Sequence, residues 1–288
     1  MINGFKIGFL INNAYLNNGM EEICASLKGL GYDAIELPAE RLFPNGFDTG
    51  NAKKVLEAIS SSGLELSELV VQRELVTRDE DERKSNIKNI LDCFTAMGDL
   101  GIKTANLFTG PRPWIDNPLT IGKNISMGEA WDMVFNAFDK IVPAAEKNSV
   151  DIALESVFAM AAHDFYTASF LIDHYKSKNF GVNFDPSHDI LSGNNDSAWI
   201  IKQYGKEKIK HIHLKDAAGI YQGNRFVFPL LGEGKVDWKA FRQALIDIGY
   251  KGAMSVEFES FAYLANVLDG NLEEAARISI RDIRKLFA

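Results

Sequence analysis

The chain has 288 residues, a formal net charge of −8 from 31 Lys and Arg against 39 Asp and Glu, 46% hydrophobic and 24% charged residues. This balance excludes disordered and fibrous classes, and the length fits two average domains or one α/β barrel of roughly 250 residues. The acidic excess argues against a nucleic-acid partner, because affinity for phosphate backbones comes mostly from Lys and Arg.

No stretch reaches the ~18 uninterrupted apolar residues of a membrane span. The start, MINGFKIGFL, reads directly as a strand, without the basic-then-apolar order of a secretory leader. Cys24 and Cys93 are isolated, both in helix-like segments, and no CxxC occurs. Two such thiols make no disulfide framework, so a cytoplasmic location is expected.

In chain order, short apolar β-rich runs fall at about 5–11, 32–37, 64–71, 102–108, 150–155, 180–185, 209–214 and 252–257. Helical patterns fall at about 19–30, 51–62, 80–100, 128–148, 166–177, 196–205, 237–248 and 271–287. The alternation predicts parallel strands joined by helical crossovers. Eight such units predict a single-domain (β/α)8 barrel over 1–288 rather than an open sheet. The junctions repeat as well. LKGLGYDAIEL, ISSSGLELSEL, MGDLGIKTANL and LIDIGYKGAMSVEF each set a Gly between an apolar helix end and the next strand. Glycine is the usual residue for a left-handed helix terminus. The charged run RDEDERK (78–84) fits the solvated start of a helix.

Side-chain parity tests the barrel, since successive strand residues point to opposite faces. Ile152 and Leu154 oppose Asp151, Ala153 and Glu155; Val182 and Phe184 oppose Gly181, Asn183 and Asp185. Ile212 and Leu214 oppose His211 and His213; Met254, Val256 and Phe258 oppose Ala253, Ser255 and Glu257. One face is apolar four times over and belongs under the helices. The other is small or polar and predicts a wet, charged lumen.

Four residues, Glu155, Asp185, His213 and Glu257, end four consecutive strands on the lumen side. Active sites of these barrels lie at the C-terminal strand ends. Three carboxylates converging there repel one another unless a cation holds them. Carboxylates with one imidazole suit Mn²⁺ or Mg²⁺ better than a thiolate-rich zinc site. The expected cofactor is one divalent cation, Mn²⁺ first, with Mg²⁺, Co²⁺ or Zn²⁺ as alternatives.

NFDPSH (183–188), HIHLKD (211–216), LGEGKVDW (231–238) and GYKGAMSVEFE (249–259) resemble the sugar isomerase/epimerase superfamily of xylose-isomerase-like barrels. That group includes ketose 3-epimerases, hydroxypyruvate isomerases, inosose dehydratases and apurinic endonucleases. The resemblance implies that Glu155 and Glu257 are paired acid/base glutamates that also bind the metal, with Asp185 and His213 completing the ligands. It implies that His188, three residues after Asp185, contacts a substrate oxygen. His211 and Glu259 compete with His213 and Glu257 for ligand roles; the deeper position of His211 and the spacing from GYKG to Glu257 decide against them.

The implied chemistry is proton removal beside a carbonyl, with a cation stabilising the enediolate and two glutamates on opposite faces handling the proton. Trp114, Arg225 and Asn106 join His188 as candidate substrate contacts. Glu36 and Asn106 have lumen parity and are candidates to support the ligands from behind, and Arg225, Lys215 and Arg112 could hold a phosphate or hydroxyls. The insertion over 216–235, with Tyr221, Arg225 and Phe226, is expected to cover the pocket.

Ketose 3-epimerases carry an arginine six residues after the histidine ligand; that position is Gly219 here, a departure from the simple epimerase pattern. The expected activity is a metal-dependent isomerase or epimerase of a small sugar, keto-sugar or sugar phosphate. An inosose-dehydratase-like lyase is the alternative, and the expectation allows a homo-oligomer. Apurinic endonucleases add histidines at the second and third strand ends, whereas DAIELP and LELSELVV contain none. A non-enzymatic binding barrel leaves the convergent acids without a purpose.

Overall fold

The computed structural model describes residues 1–11, 18–194 and 196–288. Its strands in chain order are β1 (Lys6–Leu10), β2 (Ala34–Pro38), β3 (Glu65–Val70), β4 (Thr104–Leu107), β5 (Asp151–Glu155), β6 (Phe180–Phe184), β7 (Ile209–Leu214), β8 (Ala218–Ile220), β9 (Arg225–Val227) and β10 (Ala253–Val256). Eight of them are parallel and close a barrel in the order β1-β10-β7-β6-β5-β4-β3-β2; β8 and β9 form a separate antiparallel hairpin. The helices are α1 (Met20–Leu30), α2 (Ala39–Leu42), α3 (Thr49–Ser61), α4 (Glu80–Leu100), α5 (Met127–Asn148), α6 (Phe165–Tyr175), α7 (Pro186–Leu191), α8 (Ser197–Lys208), α9 (Trp238–Ile248), α10 (Phe261–Asn266) and α11 (Leu272–Leu286). The fold is the expected (β/α)8 barrel. Each predicted strand and crossover helix is present within a few residues of its expected ends; the hairpin and the short helices α2, α7 and α10 are additions.

Local chemistry sets the helix ends. Asp48, Asp79, Asp164, Asp196, Asp237 and Asn271 each accept a first-turn backbone N–H, which satisfies donors the helix cannot. Asp79 caps α4 within the charged run, as expected of a solvated helix start. At the far ends Gly31, Gly63, Gly101 and Gly249 all take left-handed φ, between 68° and 97°. Ser149 and Lys176 do the same for α5 and α6 without a glycine, at φ 53° and 52°, which is why those two junctions lack the repeated signature.

The outward strand face carries Ile152, Leu154, Val182, Phe184, Ile212, Leu214, Met254 and Val256, all within the apolar layer under the helices. Phe180 stacks on Phe138 of α5 at 5.2 Å, and Phe184 on Phe241 of α9 at 6.2 Å. Burying a side chain of this size contributes about 1.5–3 kcal/mol, so the layer supplies the main driving force for closure. The two cysteines, Cys24 and Cys93, are buried free thiols within it.

Inside the ring the floor is narrow. Gly8 faces Ser255 so closely that an added Cβ would lie 2.8 Å from its hydroxyl oxygen. A register shift between β2 and β3 pairs Ile35 with Leu66 but Glu36 with Glu68. Ser67 Oγ still reaches Ser255 Oγ at 3.2 Å. The irregularity therefore turns both Ser67 and Glu68 toward the lumen, against simple alternation.

Candidate active site and metal centre

Glu155, Asp185, His213 and Glu257 come together at the C-terminal mouth, each offering one ligand atom within 4.8 Å of the others. Asp185 owes its pose to the DPSH sequence. It is the N-cap of α7, its Oδ1 accepts the Ser187 N–H at 2.8 Å, and Pro186 opens the helix. That leaves Oδ2 facing the site. Glu155 Oε2 accepts from the amides of Gln72 at 2.8 Å and Asn106 at 3.2 Å, and Oε1 lies 3.1 Å from His213 Nδ1. Glu257 Oε2 approaches the same Nδ1 at 3.2 Å. His213 Nε2 points the other way, toward Glu36 Oε1 at 3.0 Å.

The donor set fits a divalent cation. Bond lengths of about 2.0–2.2 Å place the ligands of one ion no more than about 4.4 Å apart, close to the spacing seen here. Three carboxylates and an imidazole suit a hard or borderline metal. His188 lies beside the quartet, buried, with Nε2 3.5 Å from both Glu155 Oε1 and Asp185 Oδ2 and with Nδ1 unpaired among the described residues.

Lys215 is the group whose part was least expected. It is 3% exposed, and its ammonium sits 2.9 Å from Asp185 Oδ2 and 2.9 Å from Glu259 Oε2, also contacting Glu257. Burial opposes its charge, yet these carboxylates outweigh that and hold its pKa well above the usual lysine range. Lys215 thus compensates the acidic mouth from the protein side. Burial pushes Glu155 up, but the His213 and His188 imidazoles reverse this and hold it well below the usual carboxylate range. Glu257 is likewise lowered, by Lys215 and His213 against burial. Glu259 goes the other way; burial raises it more than Lys215 lowers it.

A second layer lies beneath. His211 Nε2 is 3.1 Å from Glu36 Oε2 and 3.0 Å from Ser255 Oγ, and Asn106 Nδ2 reaches Glu68 Oε2 at 3.4 Å. Glu36, Glu68, His211 and His213 form a second compact group, wholly buried. His211 is therefore a deep lumen residue, as its position two residues below His213 implies. Burial pushes Glu36 up, but the two imidazoles bring it down to about 2. Burial and the Glu36 charge hold Glu68 well above the usual range.

Above the quartet opens a cavity of about 830 Å³, with His213 and Glu257 on its floor and Gln72, Arg73, Arg112, Glu40 and Arg41 among its walls. The expected substrate contacts divide. Asn106 is fully buried and reaches Glu155 rather than the cavity, because its place on β4 is one layer deeper. Trp114 is 56% exposed and edge-on to Phe108, outside the cavity lining. Arg225 is exposed on β9 and outside the cavity lining; its side chain bonds the Gln222 carbonyl. Arg112 does line the cavity, anchored through its backbone N–H and Nε to buried Glu74.

The 216–235 insertion forms an aromatic roof over His188 and Lys215. Phe158 lies 5.5 Å from His188, 6.0 Å from Tyr221 and 5.2 Å from Phe226, while Phe228 sits 4.9 Å from the Lys215 ammonium. Asp216 ties the insertion down by accepting from the N–H groups of Ala217, Gly232, Gly234 and Val236 and from Trp238 Nε1, at 2.9–3.1 Å. This explains LGEGKVDW. A side chain at Gly234 would overlap the Asp216 carboxylate.

Sequence reasoning missed Glu68, Gln72, Phe158, Phe228 and the anchoring role of Asp216. The β3 irregularity hid Glu68 and Gln72 from parity. The HLKD–LGEG–DW spacing was the one signal for Asp216.

A closed (β/α)8 barrel with four metal-ligand types at its C-terminal mouth defines the class of protein. Residues 24–286 match the model of the xylose isomerase-like TIM barrel family, and the chain belongs to that family. Among curated relatives it is similar to an inosose dehydratase of Geobacillus thermodenitrificans, 23% identical over 256 residues, covering 82% of this chain and 84% of the relative. An inosose dehydratase of Clostridium perfringens is 22% identical over 242 residues, covering 78% and 81%. Among solved structures, the IolI protein with a bound zinc atom superimposes with a TM-score of 0.75 at 21% identity over 98% of both chains. The Escherichia coli 3-keto-D-glucoside 4-epimerase does so with a TM-score of 0.74 at 20% identity, over 98% of this chain and 99% of that one. At these identities the structural likeness speaks for the fold.

Proposed function

We propose that the chain is a divalent-metal-dependent isomerase or epimerase of a small sugar or keto-sugar, working through an enediolate. The carrying observation is the convergence of Glu155, Asp185, His213 and Glu257 within 4.8 Å, with His213 and Glu257 on the floor of the cavity. A cation on these residues, Mn²⁺ in our reading, would supply Lewis-acid stabilisation of charge growing on substrate oxygens.

The protein's own groups supply the proton handling. Gln72 and Asn106 hold Glu155 Oε2, which leaves Oε1 facing the mouth. Glu257 faces the mouth from the end of β10, on the other side of His213 Nδ1. Two carboxylates on two sides of one position can remove a proton from carbon and return it to the opposite face. Both are held ionised, Glu155 by the imidazoles and Glu257 by Lys215. His188, whose Nδ1 has no partner among the described residues and which packs against Phe158, would hold a substrate oxygen.

A second reading is a lyase acting on a keto-inositol or keto-sugar, where the same enediolate expels a neighbouring hydroxyl. It is favoured by the curated relatives named above, which are inosose dehydratases, and by Gly219 in place of the epimerase arginine. The two readings separate in one assay. Candidate sugars and keto-inositols are incubated with Mn²⁺-loaded protein in D₂O and followed by proton NMR. Exchange at one carbon with the carbon skeleton and oxygens intact marks the isomerase or epimerase; loss of water marks the lyase. No exchange with any carbonyl sugar would refute both.

A further inference from the structure

The deep layer of the lumen holds a carboxylate whose contacts bear directly on the quartet. Glu36 is the middle residue of β2, is fully buried, and faces β7 across the lumen. Its Oε1 meets His213 Nε2 at 3.0 Å while its Oε2 meets His211 Nε2 at 3.1 Å. The next carboxylate, Glu68 Oε2, is 3.9 Å from His213 Nε2, too far for a hydrogen bond. His211 Nε2 also touches Ser255 Oγ at 3.0 Å. The Glu36 side chain is thus fixed at both oxygens.

We infer that Glu36 is a positioning residue: its carboxylate holds His213 in the tautomer protonated on Nε2 and so presents the Nδ1 lone pair to a divalent cation. This rests on the reading of the quartet as a cation site. The argument is one of donors and acceptors. An ionised carboxylate has no proton to give, and a neutral imidazole has one N–H. With a cation on Nδ1, the nitrogen lying 3.1 and 3.2 Å from the oxygens of Glu155 and Glu257, that N–H is left on Nε2, where Glu36 Oε1 accepts it at 3.0 Å. A hydrogen bond from the far nitrogen also orients the ring and makes the near one a better donor; loss of such a partner typically weakens metal binding about 10–100-fold.

The test is direct metal binding, read apart from turnover. Wild-type protein, E36Q, E36A and E68Q are titrated with Co²⁺ against a competing chelator and followed by visible absorption. Wild type should bind one Co²⁺. E36A should bind it about 10–100-fold more weakly. E36Q should fall between, because a carboxamide oxygen still accepts the Nε2–H without the charge, and E68Q should stay close to wild type. The unmutated protein gives a second readout, free of any folding defect. Zn²⁺-loaded, ¹⁵N-histidine-labelled enzyme should show a His213 resonance with its proton on Nε2.

Co²⁺ bound as tightly by both Glu36 variants as by wild type would overturn the inference while leaving the quartet as the cation site; a proton on Nδ1 would overturn it too and take His213 out of the ligand set. If wild type binds neither Co²⁺ nor Zn²⁺, the cation-site reading itself fails and takes this inference with it.

Discussion

The two halves of the barrel contribute different things to one mouth. Strands β5, β6, β7 and β10 deliver the groups with reactive or ligand chemistry: Glu155, Asp185, His213, Lys215 and Glu257. Strands β2, β3 and β4 and the segments after them deliver Glu36, Gln72 and Asn106, which hold those groups, together with much of the cavity wall. Both halves bring carboxylates into the lumen, yet with opposite consequences. Glu155 and Glu257 face the mouth beside imidazoles and an ammonium, so burial fails to neutralise them. Glu68 is sealed beside another carboxylate, and burial dominates. Residue type alone does not make a site; counter-charge and an open face decide which acid can act.

The sharpest way to break this division is to remove a base from the second half. Glu155→Gln and Glu257→Gln keep size and one metal-capable oxygen but lose the base, at an expected cost of ~10²–10⁴ in turnover. Under opposed-base epimerisation each variant should still exchange the proton of one epimer in D₂O and not of the other. Wild-type exchange in both variants would move the base to His188.

Next in size is Lys215→Met. It leaves buried Asp185 and part-buried Glu257 and Glu259 together without their ammonium. Breaking a buried ionic contact of this kind costs about 3–5 kcal/mol, and urea unfolding in the presence of a chelator would measure it. A cost within error of zero would show that the mouth tolerates its acids without compensation, and the contrast with the sealed half would collapse.

The second half was also the legible one. Its strands keep their in-and-out alternation despite a register shift between β6 and β7, so Glu155, Asp185, His213 and Glu257 are legible from parity, and the sequence run DPSH already contains the cap that aims Asp185. The first half hid its part. The β3 irregularity turns Ser67 and Glu68 inward together, which breaks the period on which parity relies. Asn106 has the right parity, but parity says nothing of depth, and depth decides whether an amide meets substrate or supports Glu155. Arg225 and Trp114 have chemistry suited to a sugar, but they sit on a hairpin and in a loop turn outside the cavity lining, positions that periodicity does not encode.

A smaller effect is expected where the insertion is pinned. Gly234→Ala drives a Cβ into the Asp216 carboxylate and disturbs bonds to four backbone N–H groups and Trp238. A loss of about 2 kcal/mol is expected for strain of this kind, with turnover falling further than stability because the aromatic roof over His188 shifts. Equal losses in both would assign the loop to folding alone.

The smallest effect concerns a buried acid one residue from His188. Asp189 on α7 is 1% exposed, and its Oδ1 accepts the Phe165 N–H at 3.2 Å. Burial raises its pKa to about 7 from the ordinary 3.8, with Asp164 and Asp185 adding repulsion and His188 opposing it. The native state therefore keeps a proton that the unfolded chain releases near pH 4. Stability from this group is complete below that pH and is lost as pH rises through about 7. One proton corresponds to a slope of at most ~1.4 kcal/mol per pH unit. Asn at this position can still accept the Phe165 N–H but never ionises. The stability of Asp189→Asn relative to wild type, from urea unfolding between pH 5 and 8, should rise with pH and level off above 7. A difference that stays flat across that window would mean Asp189 is already ionised at pH 5, so that even beside the imidazole of His188 a sealed carboxyl behaves like those at the open mouth.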